Sequence, residues 1–247
     1  MNLLRNLICT LPLLLIISCN SNSKRPKPAK LDIVFQEDAS KFTASQKQRI
    51  RDVILLSEKE VRNLLPNLPT GIKVIVEIVD WDLQTVGGVT GRTETNSPPL
   101  VLIQISGKYQ GGIEIAVNSG LKATIFHEFH HLSRGWAIRD NKFEPGISIA
   151  IVNEGLAVVF SEEYADAVME ANHIPKNVDG DIWVKEVLAL PKNADYQKWM
   201  FEHPDGRTSI GYRTGNYLIR KAMANSDKDI LEVSNLMPNE IIKLAGY

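Results

Sequence analysis

Between Ala44 and Leu65 the apolar residues Ile50, Val53, Ile54, Leu56, Val61, Leu64 and Leu65 recur mostly at three- and four-residue intervals, and Pro66 closes the run. That spacing predicts an amphipathic helix. Leu31 to Phe35 reads as a short extended segment before it. Ile72 to Val79 alternates and is β-branched, which predicts a strand, and Leu100 to Ile105 and Ile113 to Val117 are further strand candidates joined by a glycine-rich turn from Ser106 to Gly112. From Leu121 onward the pattern turns helical, over about 121–134, 147–171, 181–189, 208–224 and 228–244. Strands first and helices later, with no internal repeat, predict an α+β domain with one continuous core over residues 31–247.

The first thirty residues follow different rules. Leu7 to Ile17 is almost purely apolar behind Arg5, too short to span a bilayer and too apolar for a surface helix. Ile16-Ile17-Ser18-Cys19 resembles a bacterial lipobox, which implies a signal peptide at 1–18 and a lipid-modified Cys19. Residues 20–30 (NSNSKRPKPAK) have nothing apolar to bury and read as a flexible tether. The expectation is a lipoprotein held on a membrane of the cell envelope through its acyl chains without crossing it. Asn20 stands where Asp would signal inner-membrane retention, which favours the outer membrane in a cell that has one. Processing before Cys19 also removes Cys9, so the mature domain has neither a disulfide nor a free thiol.

Composition narrows the function. With 28 Lys and Arg against 29 Asp and Glu, there is no basic field for a phosphate backbone, which argues against a nucleic-acid partner. A chain this long builds a core without a structural metal, so a metal-ligand signature points to catalysis. Gly87-Gly88-Val89-Thr90-Gly91-Arg92-Thr93 faintly suggests a phosphate loop, but Arg replaces Lys and no helix pattern follows; it reads as a flexible loop at a cleft edge.

The chemical signature is His127-Glu128-Phe129-His130-His131. On a helix, residues four apart return to one face, so His127 and His131 can present their imidazoles to one ion. Glu128 lies about 100° round from His127, where it can reach a water on that ion and act as base. His130 points away and reads as a supporting or exposed residue. Arg134 and Ala137 exclude the extended three-histidine pattern, which needs Gly and His there. Glu154 shares a helical face with Ile147, Ala150, Ile151 and Val158; a carboxylate there needs a partner, and zinc held by His127 and His131 supplies one. The alternative is a buried Glu that is neutral or paired with an arginine. Glu144, Glu162 and Glu163 lie outside the apolar part of the helix and are weaker candidates.

Three segments together, His127-Glu128-Phe129-His130-His131-Leu132, Asn153-Glu154-Gly155-Leu156-Ala157 and Gly211-Tyr212-Arg213-Thr214-Gly215, resemble a bacterial family of predicted zinc-dependent proteases of unknown function. The resemblance runs from about Gly71 to the C-terminus. It implies a gluzincin: a zincin-like fold, one zinc per chain, a Glu as third ligand, a peptide or protein substrate, and an edge strand that pairs with it. Ile113 to Val117 is the candidate edge strand. Thermolysin-like gluzincins carry an Asp four residues after the ligand Glu, and here that position is Val158, so the partner that orients a zinc histidine must come from elsewhere. Tyr212, near the start of a helix, could reach a cleft and donate to a tetrahedral oxyanion, or it could be a packing residue between Gly211 and Gly215. His203 is the rival donor, and His173 reads as structural. The reading is a zinc peptidase with Glu128 as general base; the alternative is a non-catalytic envelope lipoprotein that binds a protein partner on the same scaffold.

Overall fold

Four strands form one sheet in the computed structural model, which describes residues 31–37 and 40–247. The signal-like run, Cys19 and the tether lie outside the described residues. The strands are β1 (Asp32–Gln36), β2 (Lys73–Val79), β3 (Val89–Asn96) and β4 (Pro99–Ser106), in the order β1-β2-β4-β3. β1, β2 and β4 are parallel, and β3 runs antiparallel to β4, so β3 is one edge of the sheet. Helix α1 (Ala44–Leu64) makes the crossover from β1 to β2. A reciprocal cap starts it: Gln46 N–H donates to Thr43 Oγ1, and Thr43 N–H donates to Gln46 Oε1. Its apolar stripe, Ile50, Ile54 and Val61, is buried with Val74 and Val76 of β2 and Val101, Ile103 and Ile105 of β4.

The second half is helical. It comprises α2 (Gly112–Ala116), α3 (Lys122–Arg134), α4 (Ile147–Ala165), α5 (Gly180–Leu188), α6 (Tyr196–Met200), α7 (Ile210–Ser226), α8 (Ile230–Val233) and α9 (Pro238–Leu244). A π-helical turn, Val117–Leu121, joins α2 to α3. No helix among the described residues is long and apolar enough to cross a membrane. The architecture is the α+β arrangement expected from the order of patterns.

Two expectations about the sheet are overturned, and they are linked. Ile113 to Val117 is not a strand: Gly111 and Gly112 both hold positive φ, 92° and 81°, and the chain turns straight into α2. Pairing there was not open in any case, because β4 has β2 on one side and β3 on the other. The edge strand is instead β3, which takes in most of the segment read as a flexible loop. Its polar sequence, Val-Thr-Gly-Arg-Thr-Glu-Thr-Asn, hides the alternation that puts Val89 and Thr93 in buried positions. Elsewhere boundaries shift. The run expected to 171 stops at Ala165 with Asp166 left-handed, the last predicted helix is divided into α8 and α9 before Pro238, and α6 was not anticipated.

Helix α4 is buried on almost every side, Phe160 completely, and it crosses α7 at unusually short range. Two glycines face each other there. A Cβ on Gly155 would fall 2.3 Å from the Gly215 carbonyl carbon, and one on Gly215 would fall 2.2 Å from the Ile151 oxygen. Both obstacles are backbone, so neither can swing aside. Gly215→Ala should therefore destabilise the fold by about 1–3 kcal/mol or more, as overpacking does. The measurement is the denaturant midpoint at unchanged slope; an unchanged midpoint would mean that the two helices separate at no cost.

Candidate metal centre

α3 carries the H-E-x-x-H residues, and its last turn leads through Gly135 into the loop that ends at α4. The two helices pack side by side. His127 Nε2, His131 Nε2 and Glu154 Oε2 meet in a triangle with edges of 2.9, 3.1 and 3.2 Å. A tetrahedral zinc with bonds of about 2.0–2.1 Å separates its ligand atoms by about 3.3 Å, so the three atoms stand close to the spacing such an ion requires. Among the described residues this is the one group of three or more His, Cys, Asp or Glu side chains that could hold a metal. The chemistry fits as well: two imidazole nitrogens and one carboxylate oxygen are a borderline-soft donor set suited to zinc.

The three side chains are strongly coupled electrostatically. Burial alone would raise the Glu154 carboxyl, but the charge and hydrogen bonds of His131 and His127 outweigh it and hold the group far below its ordinary range. Burial opposes the charge on His127 too, yet the bond from Glu154 and the field of Glu128 raise it. Trp136 Nε1–H donates to Glu154 Oε1 at 2.9 Å, which fixes the carboxylate so that Oε2 faces the histidines. His131 Nδ1 is buried with no partner among the described residues.

Glu128 stands beside this triangle and outside it. Thr93 Oγ1 of β3 lies 2.9 Å from Glu128 Oε2 and 3.0 Å from the Glu128 carbonyl oxygen, tying the side chain to the edge strand. Burial raises the Glu128 carboxyl above its usual value, with the nearby histidines pulling the other way. A base with a raised pKa suits proton transfer near neutrality. Gly91 makes the approach possible, because a Cβ there would lie 2.6 Å from Glu128 Cγ and 2.9 Å from Thr124 Cγ2.

Two tyrosines complete the surroundings. The Tyr212 phenol is pushed well above its ordinary value, first by burial and then by the charges of Glu154, Tyr196 and Glu128. Tyr196 of α6 is raised likewise by burial and by Glu154 and Glu128. As a whole residue Tyr196 is 43 % exposed. Tyr196, Thr93 and Trp136 escaped the sequence reading: the first sits in an unanticipated short helix, the second in the dismissed glycine segment, and the third in an unpatterned loop.

Other candidates are placed elsewhere. His130 is fully buried on the far side of α3, with Nε2 2.9 Å from Ser234 Oγ and its ring against Phe160; burial keeps it neutral. His203 Nδ1 pairs with Asp205 at 2.8 Å, and its ring packs on Trp199, which ties it to the Arg207 cluster. His173 binds Glu162 at 2.7 Å, as befits a structural residue. Glu162 is a correction: it is buried, because α4 is enclosed on nearly all sides, and it is matched by Arg220 at 2.7 Å as well as by His173. Glu144 is exposed and paired with Lys192, and Glu163 is exposed.

Fold and centre together define a mixed α+β protein in which an H-E-x-x-H helix and the following helix converge on a site able to hold a metal. Over residues 114–243 the chain matches the family described as "Predicted Zn-dependent protease (DUF2268)", and it belongs to that family. No curated protein and no solved structure matches the chain.

Two substitutions test the construction of the centre. Glu154→Gln keeps the shape and loses the charge, so zinc per chain measured by elemental analysis should fall steeply while the apo protein stays folded. Glu144→Gln and Glu163→Gln should leave zinc content unchanged. Trp136→Phe removes only the bond to Oε1 and should weaken zinc about 10–100-fold in chelator competition. Full occupancy in Glu154→Gln would move the third ligand elsewhere.

Proposed function

We propose that this chain is a zinc-dependent peptidase of the gluzincin type, with His127, His131 and Glu154 as ligands and Glu128 as general base. The observation that carries the reading is the division of labour between the two glutamates. Glu154 converges with the histidines, and Glu128 is held next to them by Thr93 without joining them. Zinc, when bound, would supply the Lewis acidity that polarises the scissile carbonyl and acidifies a water. Glu128 takes the proton from that water and passes it to the leaving amine. The Tyr212 phenol, kept protonated by burial and the neighbouring carboxylates, is suited to donate a hydrogen bond to the tetrahedral oxyanion. Trp136 and Thr93 orient the two carboxylates so that neither has to reorganise during the reaction.

The site's surroundings in the cell belong to the same proposal. The lipobox-like Ile16 to Cys19 supports a lipid anchor at Cys19 and a domain displayed on a membrane of the envelope, acting on peptide or protein substrates there.

Glu128→Gln should retain stoichiometric zinc and the wild-type melting temperature while losing about 10² or more in cleavage rate. Loss of zinc would make Glu128 a ligand, and undiminished cleavage would place the chemistry elsewhere. Wild-type protein with full zinc that cleaves no unfolded protein substrate would favour the partner-binding alternative. For the anchor, Cys19→Ser should abolish lipid labelling and release the protein from the membrane fraction; unchanged labelling would refute it.

A further inference from the structure

The free edge of β3 is open over a very short length. Ser106 N–H donates to the Gly88 carbonyl, which makes Gly88 and Ser106 a hydrogen-bonded pair. In an antiparallel ladder such pairs alternate, so Thr90 and Arg92 bond to β4 while Val89, Gly91 and Thr93 turn their backbone groups outward, the Val89 carbonyl accepting from Thr124 Oγ1 at 3.4 Å. The loop after α3 occupies the far end of that edge. Ile138 N–H donates to the Thr93 carbonyl at 3.0 Å and Arg139 N–H to the Glu94 carbonyl at 3.1 Å. The Asp140 carboxylate then takes the N–H groups of Asn96 and Ser97 at 2.6 and 2.9 Å, and the Asn96 side chain donates to the Gly135 and Asp140 carbonyls. One stretch of chain thus covers the edge from Thr93 to Ser97. Gly91 keeps an outward carbonyl with no partner among the described residues, and it lies against Glu128.

α3 runs alongside β3 in the same direction, with Thr124 against Gly91, Glu128 against Thr93, and Gly135 against Asn96. The covered stretch therefore begins level with the metal ligands. A peptide that adds to β3 in antiparallel register, the slightly more stable pairing, would place its amino-terminal side at that closed end.

On this basis, and resting on the peptidase reading above, we propose that the cleft accepts the amino-terminal end of a peptide and that the enzyme removes one or a few residues from it. The loop at residues 136–141 acts as the stop. Charge agrees with this polarity. The carboxylates at the centre are Glu128 and Glu154, and no lysine or arginine among the described residues bonds to either. Arg92 and Arg139, near the closed end, are both engaged by Glu94. Arg92 alternates with Gly91 and Thr93, which face α3, so it points to the opposite side of the sheet. With Glu154 assigned to the zinc and Glu128 to the water, the carboxylate left to meet an α-ammonium group at the closed end is Asp140, whose side chain bonds only to the Asn96 and Ser97 N–H groups among the described residues.

The test uses the full chain with its zinc content measured. Three fluorescent peptides of one sequence are compared: one with free ends, one acetylated at the amino end, and one amidated at the carboxyl end. Binding is read by anisotropy with the zinc-loaded Glu128→Gln variant, and products of the wild type are read by mass spectrometry. Acetylation should weaken binding at least tenfold and amidation should leave it unchanged, with products shortened stepwise from the amino end. Asp140→Ala, which removes the carboxylate that accepts from the Asn96 and Ser97 N–H groups, should narrow the difference between free and acetylated peptides. Equal binding of both, cleavage only at interior bonds, a preference for the free carboxyl end, or no binding of any peptide would overturn the proposal. Binding with the expected preference but no cleavage by zinc-loaded wild type would leave the cleft assignment standing and remove the peptidase reading.

Discussion

A carboxylate enclosed by apolar side chains has to be met by positive charge or by hydrogen-bond donors, and Glu154 is where this chain meets that constraint. It is 5 % exposed on a helix buried nearly all round. What answers it comes from three directions: His127 and His131 from α3, and the Trp136 indole from the loop beyond. Each contact requires a backbone in the right place. Gly155, the next residue, lets α4 settle against Gly215 of α7, so the close glycine crossing and the placing of Glu154 are two parts of one arrangement.

The same helix carries a second buried carboxylate that is handled differently. Glu162, two turns beyond Glu154, is matched by the Arg220 guanidinium, by His173 and by Asn216, a complete set of protein partners. Glu154 has no arginine or lysine partner among the described residues, only the Trp136 indole and two imidazoles whose Nε2 atoms also face each other at 2.9 Å. Two ring nitrogens in contact make a poor hydrogen-bonded set unless a proton lies between them, but a good pair of metal ligands. The contrast is between a carboxylate matched within the protein and one that, with two imidazoles, forms a group able to hold a metal.

The parts of the site legible in the sequence were those set by helical periodicity. His127, Glu128 and His131 follow from spacing on one helix, and Glu154 from a charge on an apolar face, because both arguments need only 3.6 residues per turn. Periodicity is silent about contacts between distant segments. Thr93 reaches Glu128 across 35 positions and Trp136 reaches Glu154 from a loop without pattern. The sheet was harder still. Ile-Glu-Ile-Ala-Val at 113–117 has the alternation of a strand and is helical or in the π-turn after it, since the preceding glycines turn the chain away from a sheet whose places are filled. Val89–Asn96 is too polar to look like a strand and is the edge to which Glu128 is tied through Thr93.

The family match begins at Glu114 and takes in the histidines, both glutamates and Tyr212, but β3 lies before it. The centre and the strand beside it are therefore separable in sequence and joined in space. What joins them is specific to this fold: Thr93 holds Glu128, Gly91 gives Glu128 room, and the loop that carries Trp136 to Glu154 also runs along the outer edge of β3. A displacement of that loop would release the Trp136 bond to Glu154 and uncover the strand edge together. Residues 135–141 thus touch both Glu154 and the edge of β3, and substitutions there should be read for their effect on both.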